Sequence, residues 1–205
     1  MVSRPRSFFL CSHKGLVRKT ASWATVHRNV CGYLSQTRSE PWQALLAGPE
    51  ELHEEAMFLS EMRGKSWAGN WFDLLTPREL ESLNGYRELH QARTQEPNTP
   101  NDIWNLGDNA LSHCNWSETS GKIPTYRLHS QLYWCVTQRR PMTIQEKVAT
   151  LGWPVYQSML VDDALPAITP SRSESKHMLG NAWHLVNGTV AIASALASLE
   201  FTFPC

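Results

Sequence analysis

Apolar positions recur along this chain in short, readable runs. Between Glu50 and Met62, the residues Leu52, Ala56, Leu59 and Met62 fall at mixed spacings of three and four. That is the period of a helix with one apolar face, and the glutamates crowding its first half favour a helix N-terminus. Leu80, Leu83, Tyr86 and Leu89 repeat the pattern, preceded by Thr76-Pro77-Arg78-Glu79. There Thr caps, Pro suits the first helical position and Glu79 completes a capping box. This helix is expected to reach about Arg93, with Gly85 weakening its middle. From Tyr126 to Val136 the period changes to two, and Leu128, Leu132, Trp134 and Val136 share one face of a predicted strand. Thr143-Ile144-Gln145-Glu146 is a second capping box, whose helix carries Val148 and Leu151 and stops at Gly152, ahead of Pro154. A last helix is predicted from about Trp183 to Leu199, with Leu185, Val186, Val190, Ala193, Leu196 and Ala197 as a broad apolar face.

The remaining stretches carry little periodicity. Residues 1–39 contain no clear element, Gln95–Asn101 reads as a loop, Asp102–Gly121 as irregular turns, and Val161–Ser175 as a proline-containing loop. The organisation expected is a basic arm over 1–39, a variable region over 40–121 and a C-terminal α/β portion over 122–205.

With 205 residues, 41% of them hydrophobic and 19% charged, the chain can bury a core and is not a disordered polymer. The net charge of zero hides an asymmetry. Seven basic residues and no acidic one precede Glu40, whereas Glu50, Glu51, Glu54, Glu55 and Glu61 follow closely. A basic arm suits phosphates, and an Arg-rich, acid-free start also suits an organelle leader. Five widely spaced cysteines, an odd number, imply reduced thiols and an intracellular setting. No apolar run approaches the roughly 20 residues of a membrane span. Cys11-x-His13 and His27-x-x-x-Cys31 do not match the spacing of a common zinc finger, and no metal site is assigned.

Four blocks occur in order: Pro124-Thr125-Tyr126, Arg140-Pro141-Met142-Thr143-Ile144-Gln145-Glu146, Gly152-Trp153-Pro154 and Gly180-Asn181-Ala182-Trp183. Together they resemble the C-terminal part of DNA cytosine-5 methyltransferases. The resemblance covers Ile123–Leu199, with Tyr for Leu after Pro-Thr and Trp for Phe in the Gly-Phe-Pro turn. It implies a partial Rossmann-like fold that binds S-adenosyl-L-methionine, with an irregular, helix-containing N-terminal region. It also implies that Gly180, Asn181, Ala182 and Trp183 edge the methyl-donor pocket. Gln36 and Arg38, in a degenerate Gln-x-Arg block, and Arg139 and Arg140 become the expected nucleic-acid contacts, and DNA and a nuclear location become the expected partner and place.

The chemistry of that family needs a Cys thiolate in a Pro-Cys turn to attack cytosine C6, and a Glu in a Glu-Asn-Val stretch at N3. Pro-Cys occurs here only as Pro204-Cys205, Glu-Asn does not occur, and a glycine-rich cofactor turn is missing. No catalytic residue is assigned, and the chain is not expected to methylate DNA alone. The alternatives are half of a split enzyme completed by a partner chain, or a non-catalytic nucleic-acid-binding or structural fragment.

Overall fold

A computed structural model describes residues 17–34, 45–94, 102–110, 123–126, 132–160, 166–181 and 185–201. The chain divides into two compact units, residues 4–39 with 183–205 and residues 1–3 with 40–182. The segment 122–205 contributes to both units.

In the larger unit the elements are α2 (Pro49–Arg63), α3 (Trp71–Leu74), α4 (Pro77–Thr94), β2 (Ile103–Asn105), β3 (Tyr133–Cys135), β4 (Arg140–Pro141), α5 (Ile144–Ala149) and α6 (Arg172–Asn181). The smaller unit holds β1 (Val17–Lys19), α1 (Trp23–Leu34), α7 (Leu185–Ala197) and β5 (Leu199–Phe201).

Strand β3 is the wall between two apolar clusters. It pairs antiparallel with β2, setting Trp134 opposite Trp104 and Cys135 opposite Ile103, and with β4, setting Cys135 opposite Arg140. Because successive side chains of a strand point to opposite faces, Leu132, Trp134 and Val136 enter one cluster with Leu83 and Tyr86 of α4. Tyr133 and Cys135 enter the other, with Ile144 and Val148 of α5. Leu132, Trp134 and Val136 therefore share the period-two face expected of them, Leu128 lies outside the described residues, and the opposite face is buried as well.

Capping chemistry fixes the helices that the sequence announced. Helix α2 opens at Pro49 and closes at Gly64 with φ 60, a left-handed cap that glycine adopts without penalty. At the start of α4, the Thr76 hydroxyl accepts from the Glu79 amide while Glu79 accepts from the Thr76 amide. The same reciprocal pair, Thr143 with Glu146, opens α5, and Gly152 at φ 83 turns the chain out of it.

Four expectations are corrected. Residues 1–39 contain β1 and α1, the latter with a half-buried stripe of Trp23, Val26, Val30 and Cys31. Arg172–Asn181 is helix rather than loop over its first residues, because Ser171 and Glu174 exchange the capping-box bonds. Within Asp102–Gly121, Ile103–Asn105 is a strand. Met62, assigned to a buried face, is 53% exposed, and Glu55 takes an inward position instead.

Helix α7 buries an unexpected face. Val190 is buried as anticipated, joined by Ala191 and Ser194, whereas Ile192 (56%) and Leu196 (54%) are exposed with Ala193 and Ala197, and the side chains of Leu185 and Val186 lie outside the described residues. Small side chains let α7 lie close to α1, its packing partner in the smaller unit. All described strands pair antiparallel, in a two-stranded sheet β1-β5 and a three-stranded sheet β2-β3-β4. Among the described residues, no helix is long and apolar enough to cross a membrane.

Candidate functional site

The Arg-Pro-Met-Thr-x-x-Glu block folds into one polar knot at the start of α5. The Glu146 carboxylate is fully buried, and its oxygens accept four hydrogen bonds. Arg140 supplies two, Nη2 to Oε1 at 2.7 Å and Nη1 to Oε2 at 2.8 Å. The amides of Ala47 (3.1 Å) and Thr143 (2.9 Å) supply the others. A fork-to-fork guanidinium–carboxylate pair needs both planar groups at this separation, and β4 and α5 supply it across a tight bend. Burial pulls the Arg140 pKa down, but the Glu146 hydrogen bonds and charge outweigh it and hold it above its ordinary value.

Thr143 links this knot to α2. Its hydroxyl accepts from the Glu146 amide at 3.1 Å and donates to Glu51. Tyr156 also donates to Glu51, 2.9 Å from Oε1 and 3.0 Å from Oε2. One turn along α2, Glu55 pairs with Arg172 of α6, whose guanidinium lies 3.7 Å from the Phe58 ring centroid. Lys147 stands over Tyr133, 5.7 Å from its centroid. Three carboxylates thus meet two arginines, and Glu51 is the carboxylate with hydroxyls rather than a guanidinium against it.

That imbalance sets the titration of the cluster. Burial raises the Glu51 pKa, the Thr143 and Tyr156 hydroxyls pull it back in part, and the charges of Glu146 and Glu55 add to the rise. Burial lowers Lys147, opposed by Glu55. Burial raises the thiol of Cys135 and the phenols of Tyr126 and Tyr156, so all three stay protonated near neutrality. Cys135 is sealed between β2 and β4 and is not a nucleophile in this state.

A raised carboxylate pKa means that the folded state binds more protons than the unfolded chain. The contribution of Glu51 is then fully present below the ordinary glutamate pKa and is lost as pH rises through the higher folded value. Glu51→Gln keeps an acceptor for Thr143 and Tyr156 and removes the charge. The variant is expected to match the wild type below the ordinary glutamate pKa and to exceed it once the pH has risen through the higher folded value, read as the gap between their urea midpoints. A gap independent of pH would refute this assignment.

The expected site residues are distributed as follows. Arg140 is buried in the knot with Glu146, so it is held inward and does not present its guanidinium to nucleic acid. Arg139 is exposed in the turn before β4. Gly180 and Asn181 end α6 rather than open the final helix. Ala182, Trp183, Gln36 and Arg38 lie outside the described residues, as do Cys11, His13 and the Pro204-Cys205 pair. His27 and Cys31 touch along α1, with Sγ 3.6 Å from Nε2. Sequence reasoning missed Glu51, Glu55, Lys147, Tyr156 and Arg172. In the sequence the glutamates read as helix-terminus charges, although Glu51 and Glu55 stand four apart and share a face.

The end of α6 bears on a donor pocket. A helix N-terminus offers free N–H groups to a carboxylate or phosphate, whereas a C-terminus offers carbonyls. Gly180 and Asn181 lie at such a C-terminus, and Ala182 and Trp183, which follow them, lie outside the described residues. No protein-family model matches the chain, and no curated protein matches it in sequence.

Proposed function

We propose that this chain is the C-terminal portion of a DNA cytosine-5 methyltransferase, unable to transfer a methyl group alone and completed by a segment or partner chain that carries the thiolate. The observation that carries this reading is the Arg140–Thr143–Glu146 knot. Arg140, Thr143 and Glu146 of the matched block are joined by hydrogen bonds into one unit. This supports reading the block as a whole, and Gly152, with φ 83, follows the short helix that it opens.

In this reading the methyl donor is S-adenosyl-L-methionine, the completed fold is Rossmann-like, and the segment ending in Gly180–Trp183 contributes an edge to a pocket built mostly by the partner. DNA is the substrate, and a nuclear location follows from that role. The knot is scaffold: it holds β4 against α5 and leaves Arg139 outward.

A methyl-transfer assay with labelled donor tests the proposal. The purified chain is expected to give no transfer to cytosine-containing DNA. Mixing it with a chain bearing Pro-Cys and Glu-Asn-Val blocks is expected to give transfer that either component lacks. Robust transfer by the lone chain, or a mixture no more active than the partner by itself, overturns it.

A further inference from the structure

Helix α1 gathers its chemistry on one stripe. Trp23, His27 and Cys31 stand four residues apart, so their side chains follow one another along one face. The Trp23 and His27 rings lie 5.2 Å apart, tilted by 33°. Cys31 is a free thiol, half-buried like His27. Its Sγ stands 3.7 Å from Nδ1 and 3.6 Å from Nε2 of His27. A sulfur in line with one nitrogen's lone pair would be markedly farther from the other nitrogen. The near-equal distances mean that neither nitrogen is committed to a directed hydrogen bond with the thiol.

That separation is the one a tetrahedral metal ion requires of two ligands. Thiolate–zinc and imidazole–zinc bonds of about 2.3 and 2.0–2.1 Å, set at the tetrahedral angle, put sulfur and nitrogen about 3.5–3.6 Å apart. An ion held in a straight line between the same donors needs the sum of the two bonds, about 4.3–4.4 Å. The 3.6 Å between Sγ and Nε2 suits the tetrahedral centre and not the linear one. Donors at positions i and i+4 are also how one helix face presents two ligands to a single zinc ion. A turn of the imidazole about its Cβ–Cγ bond aims one nitrogen at an ion beside the sulfur and leaves the α1 backbone where it is. Thiolate with imidazole selects metals of the zinc class over magnesium or calcium, which take oxygen ligands.

We propose that His27 and Cys31 form a two-ligand seat for a tetrahedral divalent ion of the zinc class. The ion bonds to the Cys31 sulfur, whose proton leaves to solvent, and to a lone pair of the neutral His27 ring. Among the described residues no group of three or more His, Cys, Asp or Glu side chains is gathered. The pair therefore supplies two of the four positions and water fills the others, which makes the site an open, exchangeable one rather than a closed structural one. A zinc finger needs four protein ligands at set spacings, and this pair needs only the pitch of one helix. Trp23 braces the imidazole and is a positioning residue. Both ligands lie in the smaller unit and outside every block of the methyltransferase resemblance, and metal binding here needs no methyl donor.

The test is a titration of the reduced, tag-free full chain with Co2+, whose thiolate charge-transfer and tetrahedral ligand-field absorption report the ligand set, followed by competition with Zn2+. The wild type is expected to develop both bands and to lose them as Zn2+ is added. Cys31→Ala is expected to lose the charge-transfer band, and His27→Gln to bind Co2+ at least about tenfold more weakly. His177→Gln, on α6, is expected to bind as the wild type does. A second measurement needs no substitution: Zn2+ is expected to slow the alkylation of Cys31 by iodoacetamide, read by mass spectrometry of the cleaved chain. A wild type without the bands, a charge-transfer band that survives in Cys31→Ala, or undiminished affinity in His27→Gln overturns the site. An alkylation rate at Cys31 that Zn2+ leaves unchanged overturns it as well, even where a variant does not fold. These measurements involve neither DNA nor methyl transfer, so failure here leaves the methyltransferase proposal standing, and the reverse.

Discussion

Replacing Glu146 by alanine is expected to destabilise the larger unit by about 3–5 kcal/mol, the cost of stranding one partner of a buried ion pair. The carboxylate removed is fully buried and accepts from Arg140 twice, from the Ala47 amide and from the Thr143 amide. Arg140, 5% exposed, is left with the Pro141 carbonyl at 3.0 Å as its one remaining described acceptor. The buried Thr143 amide loses its partner at the same time, a further penalty of about 1–3 kcal/mol where water cannot enter, and the half-buried Ala47 amide loses its own with water at hand. Glu146→Gln is expected to fall between the wild type and alanine, because an amide keeps one acceptor oxygen but turns an NH2 toward the guanidinium. Arg140→Met combined with Glu146→Leu is expected to recover most of the loss, since apolar side chains of similar size fill the space without a charge to solvate. Urea unfolding of the four proteins at pH 7 ranks them. An alanine variant within about 1 kcal/mol of wild type would contradict the knot as described.

Trp134→Ala is expected to cost about 3–5 kcal/mol through the cavity it leaves. The indole is 1% exposed, lies opposite Trp104 across the β2–β3 pair and supports the Phe72 ring. Its loss removes the floor beneath Phe72. Trp134→Phe keeps a ring against Phe72 and is expected to lose less. Denaturation followed by circular dichroism reports the stability. Equal stability of the alanine variant and wild type would remove Trp134 from the core.

Local chemistry was legible where one short stretch decides the outcome. Thr76 with Glu79 and Thr143 with Glu146 close their capping boxes within four residues, and both were readable as helix starts. Gly152 likewise had one reading and took it. The alternation Leu132, Trp134, Val136 gave one buried face, but nothing in it announced that Tyr133 and Cys135 would be equally buried. That follows from α5 packing on the other side, where separate elements of the chain meet. The same holds for Glu51 and Glu55. Charge near a helix start is ordinary on a surface, and only the approach of Thr143, Tyr156 and Arg172 makes these two inward groups.

Other misses had a local signal that was outweighed. Ser171-x-x-Glu174 is a capping box of the same kind as the two recognised, hidden by the prolines before it. Helix α7 was readable as a helix but not in its orientation. Its residues are apolar nearly all round, so pattern alone could not choose a face, and closeness to α1 favoured the small side chains over Ile192 and Leu196. Arg139 and Arg140 are adjacent in sequence and opposite in fate, one outward at a strained turn and one locked on Glu146. A strand register distinguishes them where a motif cannot.

The partition made by β3 has a last implication. A slip of one residue along its neighbours would send Tyr133 and Cys135 among the tryptophans and deliver Trp134 to the space beside α5. Both compartments would be misfilled at once, so each proofreads the other's alignment. The strand is only three residues long, yet it is keyed from both sides, like a card notched along two edges.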